Sequence, residues 1–400
     1  MLQQFIVFYP VGMSLLWLFG AIYSNHQLQN TSQADANSVQ PSVEIFMSCF
    51  NEAKILERSV DYLEKLNYNN YKLILINDKS TDNTLEIMQQ LAQTYSNIII
   101  LALKTNHGKA NAMNVALKHC QSDYILCVDA DSLIDPDALL YLTQTITADP
   151  KIAAVTGRPL VHNVSSIIGK LQYMEYALNI DFIKRSQSFF VNKINTVSGV
   201  LTIYDVLALR ELGGWSSEAM TEDIDATWQF YDHHRSCGYD PRALCHIYVP
   251  ESIRGFIKQR IRWARGSAEV LKKHFSLIPR MRGGQRFLAL DMIVSDLWIV
   301  SVLYSFVSIS FMAVSLKNLF FNINIIIIYF ILTLIFYITS KVINRNNPKI
   351  KFPPYCALYI VIFFYAYWLN NIVITISALY HINDTVKFAA WGSSDRGKIN

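Results

Sequence analysis

The chain contains 400 residues, of which 52% are hydrophobic and 16% are charged, and its formal net charge is +4. This apolar content excludes a disordered chain, and the low charged fraction (about 25% is usual in soluble domains) disfavours a purely soluble enzyme. A net charge this small gives no reason to expect a nucleic-acid partner. The six cysteines form no CxxC pair and no repeated spacing, which argues against a disulfide scaffold.

The first predicted element is an uncharged run over residues 5–23. As a helix it would measure about 28 Å, close to the thickness of a bilayer's hydrocarbon core. A cleaved signal peptide is the alternative, but residues 1–4 contain no Lys or Arg, and residues 22–25 make a poor cleavage site. We therefore expect a retained transmembrane helix over residues 1–23, followed by a polar linker over residues 24–42.

Between residues 43 and 250, short apolar runs alternate with helical stretches, which predicts an α/β domain with a mostly parallel sheet and helices on both faces. In such sheets, ligands bind at the carboxyl ends of the strands. The sequence contains neither a dinucleotide-binding GxGxxG motif nor a P-loop. The predicted strands are residues 43–48, 71–76, 98–103 and 124–128. The polar residues that follow them are Asn51, Glu52, Asn77, Asp78, Asp129 and Asp131.

Asp129 and Asp131 lie two residues apart at the end of the fourth run. Such a pair can hold a hard divalent cation such as Mg²⁺, which commonly bridges protein carboxylates to substrate phosphates. A helix N-cap is the alternative, because Asp favours that position and Pro136 follows closely. Asp78 could accept hydrogen bonds from a base or ribose, or it could be a simple turn residue.

Two further segments carry charges suited to group transfer. Lys109 follows a glycine near a predicted helix start, where a lysine can meet a phosphate, although a solvated lysine explains it as well. Glu222 and Asp223 open another helical stretch. A carboxylate placed opposite a sugar hydroxyl can act as a general base, and helix capping is the alternative.

Residues 251–286 form a basic amphipathic segment that contains Gln259, Arg262 and Trp263. Arginine offers planar, bidentate contacts to a diphosphate, and tryptophan offers a stacking face for a sugar. A helix that lies on the membrane surface, attracted to anionic lipid, is the alternative. Different faces of one helix can serve both purposes.

Three more uncharged runs, over residues 297–316, 319–340 and 352–380, predict transmembrane helices within residues 287–383. A tail over residues 384–400 follows. Lys and Arg are concentrated in residues 250–286 and 341–351, which places both segments on the cytoplasmic side. Four spans then put the block before residue 297 inside the cell and both termini outside.

The ordered set of these motifs resembles the processive family 2 glycosyltransferases, which include synthases of cellulose, chitin, hyaluronan and poly-N-acetylglucosamine. Within that family, further stretches resemble the bacterial poly-β-1,6-N-acetyl-D-glucosamine synthases of biofilms. The sequence departs from the family at Lys79, where glycine is usual, and at His107, where arginine is frequent. The motifs are Asn51-Glu52, Asn77-Asp78, Gly108-Lys109-Ala110, Asp129-Ala130-Asp131, Thr221-Glu222-Asp223 and Gln259-x-x-Arg262-Trp263. The further stretches are residues 156–159, 175–177, 183–187, 195–199 and 391–397.

The resemblance implies a GT-A nucleotide-sugar fold, UDP-N-acetylglucosamine as donor and a growing polysaccharide as acceptor. It also implies Mg²⁺ or Mn²⁺ as cofactor and a small membrane partner subunit. Implied donor-site residues are Asn51, Glu52, Asp78, Lys109, Asp129, Asp131 and Arg262, with Asp129 and Asp131 also on the metal. Implied catalytic residues are Asp223 and Glu222, and implied acceptor-site residues are Trp263, Gln259, Ser198 and Gly199.

Other functions remain open at this point. The product could be of the chitin, hyaluronan or glucan type, or the enzyme could add a single sugar to a lipid. A transporter is disfavoured because carriers place ionisable residues inside their spans, whereas the predicted spans lack charges after Asp296. An inactive scaffold is disfavoured by the complete set of acidic motifs.

Overall fold

The computed structural model describes residues 1–29, 40–311 and 316–380. Most of the predicted linker over residues 24–42, part of the predicted span over residues 297–316 and the tail over residues 384–400 lie outside the described residues. The stretch over residues 391–397, which contributes to the family resemblance, also falls there.

The described residues contain an eight-stranded sheet. In the sequence, its strands follow the first apolar helix and precede the three apolar helices near the C-terminal end. The order across the sheet is β3-β2-β1-β4-β7-β6-β8-β5. The strands are β1 (Val43–Cys49), β2 (Tyr71–Asn77), β3 (Ile98–Ala102), β4 (Tyr124–Asp129), β5 (Ser132–Ile134), β6 (Ile152–Val161), β7 (Leu201–Asp205) and β8 (Ser236–Ile247).

The predicted parallel arrangement is confirmed for the first half of the sheet. β1 pairs in parallel with β2 and β4, and β2 pairs in parallel with β3. Every residue of β1 is buried, as expected for a strand covered on both faces. The other half is mixed, because β7 runs antiparallel to β4 and β6, and β5 runs antiparallel to β8.

Helices cover the sheet and extend from it into the apolar bundle. A π-helical turn (Tyr176–Ile180) joins α6 to α7, and a 3₁₀ turn (Phe275–Arg280) follows α10. The helices are α1 (Leu2–Gln29), α2 (Leu56–Leu63), α3 (Thr84–Thr94), α4 (Lys109–His119), α5 (Ala138–Thr147), α6 (Ile167–Glu175), α7 (Asp181–Val191), α8 (Val206–Glu211), α9 (Glu222–Asp232), α10 (Ile253–His274), α11 (Gly283–Phe311), α12 (Leu316–Ile343) and α13 (Tyr355–Tyr380).

Among the residues that the structure describes, four helices, α1, α11, α12 and α13, are long and apolar enough to cross a membrane. The second candidate span, Gly283–Ser305, begins well before the predicted start at residue 297 and therefore includes Asp291 and Asp296. Tyr9 on α1 donates a hydrogen bond to Asp291 Oδ1 at 2.9 Å, and Thr375 on α13 donates one to Asp296 Oδ1 at 3.4 Å. Partners on neighbouring helices let one span contain two carboxyl groups, which a count of uncharged residues could not detect.

The first apolar helix also packs against the sheet-bearing part of the chain. Ser186 on α7 donates a hydrogen bond to the Leu16 carbonyl at 2.9 Å. Gly20 lies so close to Ser186 that a Cβ atom there would overlap it. Because glycine allows this approach, α1 and α7 can meet along their backbones.

The loop between α12 and α13 contacts the same part of the chain. Arg158 on β6 forms an ion pair of 2.9 Å with Asp181 and donates a hydrogen bond of 2.9 Å to Asn344 Oδ1. Lys349 in the loop forms an ion pair of 2.7 Å with Asp135. The loop and the sheet therefore lie on the same side of the apolar bundle.

Candidate active site

The loops that follow β1 and β2 are joined by short hydrogen bonds. Asn51 Oδ1 accepts a hydrogen bond from the Thr81 backbone N–H at 2.7 Å, and the Glu52 N–H donates to the Thr84 hydroxyl at 2.8 Å. Asn51 has a φ of +59°, and Glu52 is only 3% exposed. These two residues therefore shape the rim of the sheet at the end where the polar residues collect.

Asp78, at the end of β2, is fully buried. Its carboxylate accepts the backbone N–H groups of Gly108 at 3.0 Å and His107 at 3.4 Å. Burial raises the pKa of Asp78, while these two hydrogen bonds act in the opposite sense. The structure thus places Asp78 where it holds the loop that leads into Lys109. The neighbouring Lys79 has a φ of +61°, which explains why glycine is usual at this position in the family.

Lys109, the first residue of α4, lies between two acidic side chains. Its amine is 2.5 Å from Asp129 Oδ1 and 3.4 Å from Glu222 Oε1, and it donates a hydrogen bond to the Gly199 carbonyl at 3.3 Å. Burial alone lowers the pKa of Lys109, but Asp129 and then Glu222 outweigh it, so the net pKa is raised. Lys109 therefore carries a fixed positive charge within an acidic cluster.

Asp223 lies on the other side of this cluster, in the first turn of α9. Its Oδ2 accepts the Gly199 backbone N–H at 2.9 Å, and its Oδ1 accepts the Ile224 N–H at 2.9 Å. Burial and then the charge of Glu222 raise the pKa of Asp223, while Lys109 acts to lower it. A carboxylate with a raised pKa is a better proton acceptor than an exposed one, and this suits a general base.

Helix capping does not account for these acids. Thr221 is the N-cap residue of α9, but its side chain makes no capping hydrogen bond. Its hydroxyl is instead buried against α10, where a Cβ atom at Gly266 would overlap it. Glu222 contacts Lys109, and Asp223 accepts the Gly199 N–H in addition to the Ile224 N–H of its own first turn, so both acids also bind groups outside their helix.

Asp129 and Asp131 share the short turn between β4 and β5, and both are partly exposed. Among the described residues, no group of three or more His, Cys, Asp and Glu side chains lies close enough to form a metal site. A Mg²⁺ ion does not need one, because it usually keeps several waters and takes one or two carboxylates plus substrate phosphates. The two accessible carboxylates therefore fit a metal that arrives with a nucleotide diphosphate.

Ser198 and Gly199 form the turn before β7. The Ser198 N–H donates to the Thr156 hydroxyl at 3.0 Å, and the Ser198 carbonyl accepts the Thr202 hydroxyl at 2.6 Å. A Cβ atom at Gly199 would lie 2.9 Å from the Lys109 amine. The turn is thus fixed on one side by strand residues, and only glycine leaves room for Lys109 on the other.

Helix α10 is held against the start of α9. The Met220 N–H donates to Glu269 Oε2 at 3.1 Å, and Lys273 forms an ion pair of 2.7 Å with Asp225. Both contacts join α10 to residues beside Asp223. These contacts fix the second half of α10 beside the acidic cluster, and the Gln-x-x-Arg-Trp segment lies in the first half of the same helix.

The three predicted residues of this segment have different surroundings. Gln259 is partly buried, and its Oε1 atom has no hydrogen-bond partner within the described part of the chain. Arg262 is exposed, and Trp263 is partly buried and packs against the main core. Arg260, which the sequence did not single out, is the buried arginine, and its guanidinium carbon is 4.1 Å from the centroid of the Trp263 ring.

The structure thus joins Lys109, Asp129, Gly199, Glu222 and Asp223 directly, and it places Asn51, Glu52 and Asp78 in the adjacent loops. Two polar residues near this site were missed. Lys184 on α7 is buried, and burial lowers its pKa to about 8 although the charge of Asp223 opposes the shift. Arg260 could have been found from its spacing, because it lies one helical turn before Trp263.

The sheet, the acidic strand ends and the base-like Asp223 define a GT-A nucleotide-sugar transferase. The family model for glycosyl transferase family 2 matches residues 44–213. The structure is similar over almost the whole chain to that of a mannosyltransferase from Pyrobaculum calidifontis, which was solved in complex with GDP-Man and Mn²⁺. The two share 17% identity with a TM-score of 0.62, over 96% of this chain and 99% of that one. This likeness supports the fold.

Relatives of known name are more similar in sequence. The poly-β-1,6-N-acetyl-D-glucosamine synthase of Staphylococcus epidermidis is 34% identical over 99% of this chain and 98% of the relative. That of Staphylococcus aureus (strain COL) is 37% identical over 75% of this chain and 74% of the relative. The chain therefore belongs to glycosyltransferase family 2 and is a glycosyltransferase.

Proposed function

We propose that this enzyme polymerises N-acetylglucosamine from UDP-N-acetylglucosamine into poly-β-1,6-N-acetyl-D-glucosamine, an exopolysaccharide of biofilms, at the plasma membrane. The observation that carries the proposal is the cluster in which Lys109 and Gly199 join Asp129 to Asp223. It sets a cation and a metal-binding carboxylate, suited to a diphosphate, beside a candidate base. The near full-length similarity to the Staphylococcus epidermidis synthase supports the choice of sugar and linkage.

In the proposed reaction, the acceptor hydroxyl attacks C1 of the donor sugar while Asp223 takes the hydroxyl proton. The bond from C1 to the diphosphate oxygen breaks, and UDP leaves with the bonding electrons. A single displacement inverts the anomeric centre, so an α-linked donor gives a β-linked polymer. Asp223 is held for this step by the backbone N–H groups of Gly199 and Ile224.

Charge on the leaving UDP must be stabilised for this step. Asp129 and Asp131 would hold Mg²⁺ or Mn²⁺, which supplies Lewis-acid stabilisation of the diphosphate when bound. Lys109 contributes a fixed positive charge from the same side, and the exposed Arg262 can add a bidentate contact. Asn51, Glu52 and Asp78 shape the nucleotide end of the site.

The acceptor site lies toward α10. Trp263 would stack on the terminal sugar of the chain, and Gln259, with its unpaired Oε1, would accept a hydrogen bond from a sugar hydroxyl. Ser198 and Gly199 would form the floor between acceptor and donor. Each new sugar would extend the chain away from Asp223 toward the apolar bundle.

The membrane part supports coupled export. The α12–α13 loop contacts the catalytic domain through Asn344 and Lys349, so the cytoplasmic side predicted for residues 341–351 supports a cytoplasmic catalytic domain. A chain of polar sugars cannot cross hydrocarbon unaided. Four spans are few to enclose a polymer, which supports the inference that a small membrane subunit completes the path.

The test uses membranes that contain this chain, with and without a candidate small subunit, and radiolabelled UDP-N-acetylglucosamine or UDP-glucose with Mg²⁺ or Mn²⁺. We expect label from UDP-N-acetylglucosamine in high-molecular-weight product. A polymer formed only from UDP-glucose would contradict the proposed donor. Label found only in a lipid extract would show transfer of a single sugar and would contradict polymerisation.

A further inference from the structure

Arg260 is the buried member of the two arginines that precede Trp263. It is 2% exposed, whereas Arg262 is exposed to solvent. The guanidinium carbon of Arg260 lies 4.1 Å from the Trp263 ring centroid and 4.9 Å from that of Phe256. A planar guanidinium at this distance covers one face of the indole, which is itself partly buried against the main core.

Glu175, the last residue of α6, fixes the position of this guanidinium. Arg260 Nη2 is 2.6 Å from Glu175 Oε2, and the two side chains are 3% and 12% exposed. A buried ion pair is a poor source of stability, because the cost of desolvating both charges offsets most of their attraction. Well-packed apolar side chains would join α6 to α10 at least as well, so the pair calls for a further role.

A small cavity lies beside the ion pair. It has a volume of about 60 Å³ and lies between α6, α10 and α13. Glu175 and Phe256, both in contact with Arg260, form part of its lining, together with Gln172 and Tyr367. The two side chains that contact the Arg260 guanidinium thus border open space, and the ion pair to Glu175 keeps the guanidinium in place over the Trp263 ring. Interiors are otherwise packed closely enough to hold a ring by contact alone.

We propose that Arg260 is a positioning residue that holds the ring of Trp263 flat toward the acceptor site, with Glu175 holding Arg260. The inference rests on the proposed function, in which Trp263 stacks on the terminal acceptor sugar. Arg260 itself touches neither the donor nor the acceptor. It acts through Trp263. The two arginines therefore have different roles, because the exposed Arg262 can meet the diphosphate and the buried Arg260 cannot.

A mobile Trp263 would leave the donor site intact but misalign the acceptor hydroxyl. Water would then replace the acceptor in a larger share of turnovers, giving UDP and free N-acetylglucosamine in place of UDP and a longer chain. The chain end would also leave more often between additions. The ratio of UDP released to sugar transferred, and the product length, therefore report on Arg260 in a way that folding stability alone does not.

The experiment compares Arg260→Lys, which keeps the charge but lacks the planar face, with Arg254→Lys, a matched change at an exposed arginine of the same helix. For Arg260→Lys we expect product length to fall at least about fivefold and the ratio of UDP to transferred sugar to rise at least about twofold. The KM for the donor should stay within about twofold of wild type. Arg254→Lys should match wild type in all three quantities.

Two further variants keep the test decisive. Trp263→Ala and Trp263→Ala/Arg260→Lys should change product length and the UDP ratio equally, because Arg260 acts through the Trp263 ring. A further change in the double variant would contradict the proposal. If Arg260→Lys does not fold, Glu175→Gln replaces it, because glutamine keeps the side-chain volume. The ratio of UDP released to sugar transferred is then measured for Glu175→Gln. Wild-type length and ratio in the folded variant would overturn the inference. If wild type proves to add single sugars to lipid, the polymerase proposal fails, while the ratio still tests Arg260.

Discussion

At the scale of single residues, the site is one connected network rather than a set of independent groups. Lys109 contacts Asp129 and Glu222, and the backbone of Gly199 links Lys109 to Asp223 through its carbonyl and its N–H. The position and charge of each side chain in the network therefore depend on the other side chains. The losses of activity from single substitutions will not sum to the loss from substituting them all. Two substitutions test this network in different ways.

Gly199→Ala tests the close approach of Lys109. The added Cβ would lie 2.9 Å from the Lys109 amine, which must move, while no backbone atom outside the turn lies as close. We expect the thermal midpoint to stay near that of wild type and the transfer rate to fall by about tenfold or more, because displacing a catalytic cation by a fraction of an ångström is costly. Rates and melting curves on the same preparation measure both.

Gly157→Ala is the matched control for that prediction. Its Cβ would lie 2.6 Å from the Ala243 carbonyl, a backbone atom of the sheet that cannot move aside. This variant should lose stability, with activity lost only as the protein unfolds. Equal destabilisation by the two changes would show that Gly199 serves the fold rather than the position of Lys109.

Glu222→Gln tests the electrostatics around the proposed base. After burial, the charge of Glu222 is the largest cause of the raised pKa of Asp223, so neutralising it lowers that pKa. A general base works in its deprotonated form, and the acidic limb of the pH profile of kcat/KM follows its pKa. The acidic limb should therefore move to lower pH in Glu222→Gln. An unchanged limb, or the same movement in the exposed control Glu211→Gln, would contradict the assignment of the base.

At the scale of the elements, a buried charge cluster joins the sheet to the apolar bundle. Asp181 forms ion pairs with Arg158 at 2.9 Å and with Arg185 at 2.8 Å, and it accepts the Tyr239 hydroxyl at 2.7 Å. Arg158 reaches on to Asn344 at the end of α12. One carboxylate thus pairs with two arginines where three elements and an apolar helix meet.

Asp181→Asn should destabilise the folded protein strongly. It leaves two buried arginines without a countercharge, and breaking a buried pair in this way costs about 3–5 kcal/mol. Glu211→Gln is the control, because it breaks a partly exposed pair with Arg235, for which the expected cost is about 0–1 kcal/mol. Thermal unfolding in detergent compares the two, and similar midpoints for both variants would contradict the role of the cluster.

Local patterns in the sequence predicted much of the element scale. The alternating apolar runs predicted β1 to β4 within about one residue at each end, because a buried strand appears in the sequence as a short continuous run of apolar residues. The mixed half of the sheet escaped prediction, since pairing direction depends on contacts far apart in the chain. The start of α11 at Gly283 was missed because Asp291 and Asp296 interrupt the uncharged run, and their partners lie on α1 and α13.

The site shows the same division. The acids and Lys109 could be predicted because strand ends and helix starts are local features, and parallel strands bring them to one edge. The burial of Asp78 against the His107–Gly108 backbone could not be predicted, because a turn residue and a residue that binds a nucleotide look alike in the sequence. Arg260 and Glu175 are 85 positions apart, so their pairing needed the fold.

At the scale of the whole molecule, we expect the catalytic domain and the α12–α13 loop to lie on one face of the membrane, because Asn344 and Lys349 contact that domain. All six native cysteines are buried, so an introduced cysteine can be labelled selectively. With a membrane-impermeant thiol reagent, Arg345→Cys should be labelled only after permeabilisation, and Leu2→Cys should be labelled in intact cells; both positions are exposed. Labelling of Arg345→Cys in intact cells would contradict the proposed orientation.

We propose Asp223 as the base that drives the formation of a β-1,6-linked N-acetylglucosamine polymer. The most direct measurement follows high-molecular-weight label from UDP-N-acetylglucosamine in membranes of wild type and Asp223→Asn, before and after digestion with a β-1,6-specific hydrolase. We predict polymer that the hydrolase removes in wild type, and a loss of about 10²-fold to 10⁴-fold in Asp223→Asn with donor binding retained. Polymer that resists the hydrolase, or wild-type turnover in Asp223→Asn, would contradict the account.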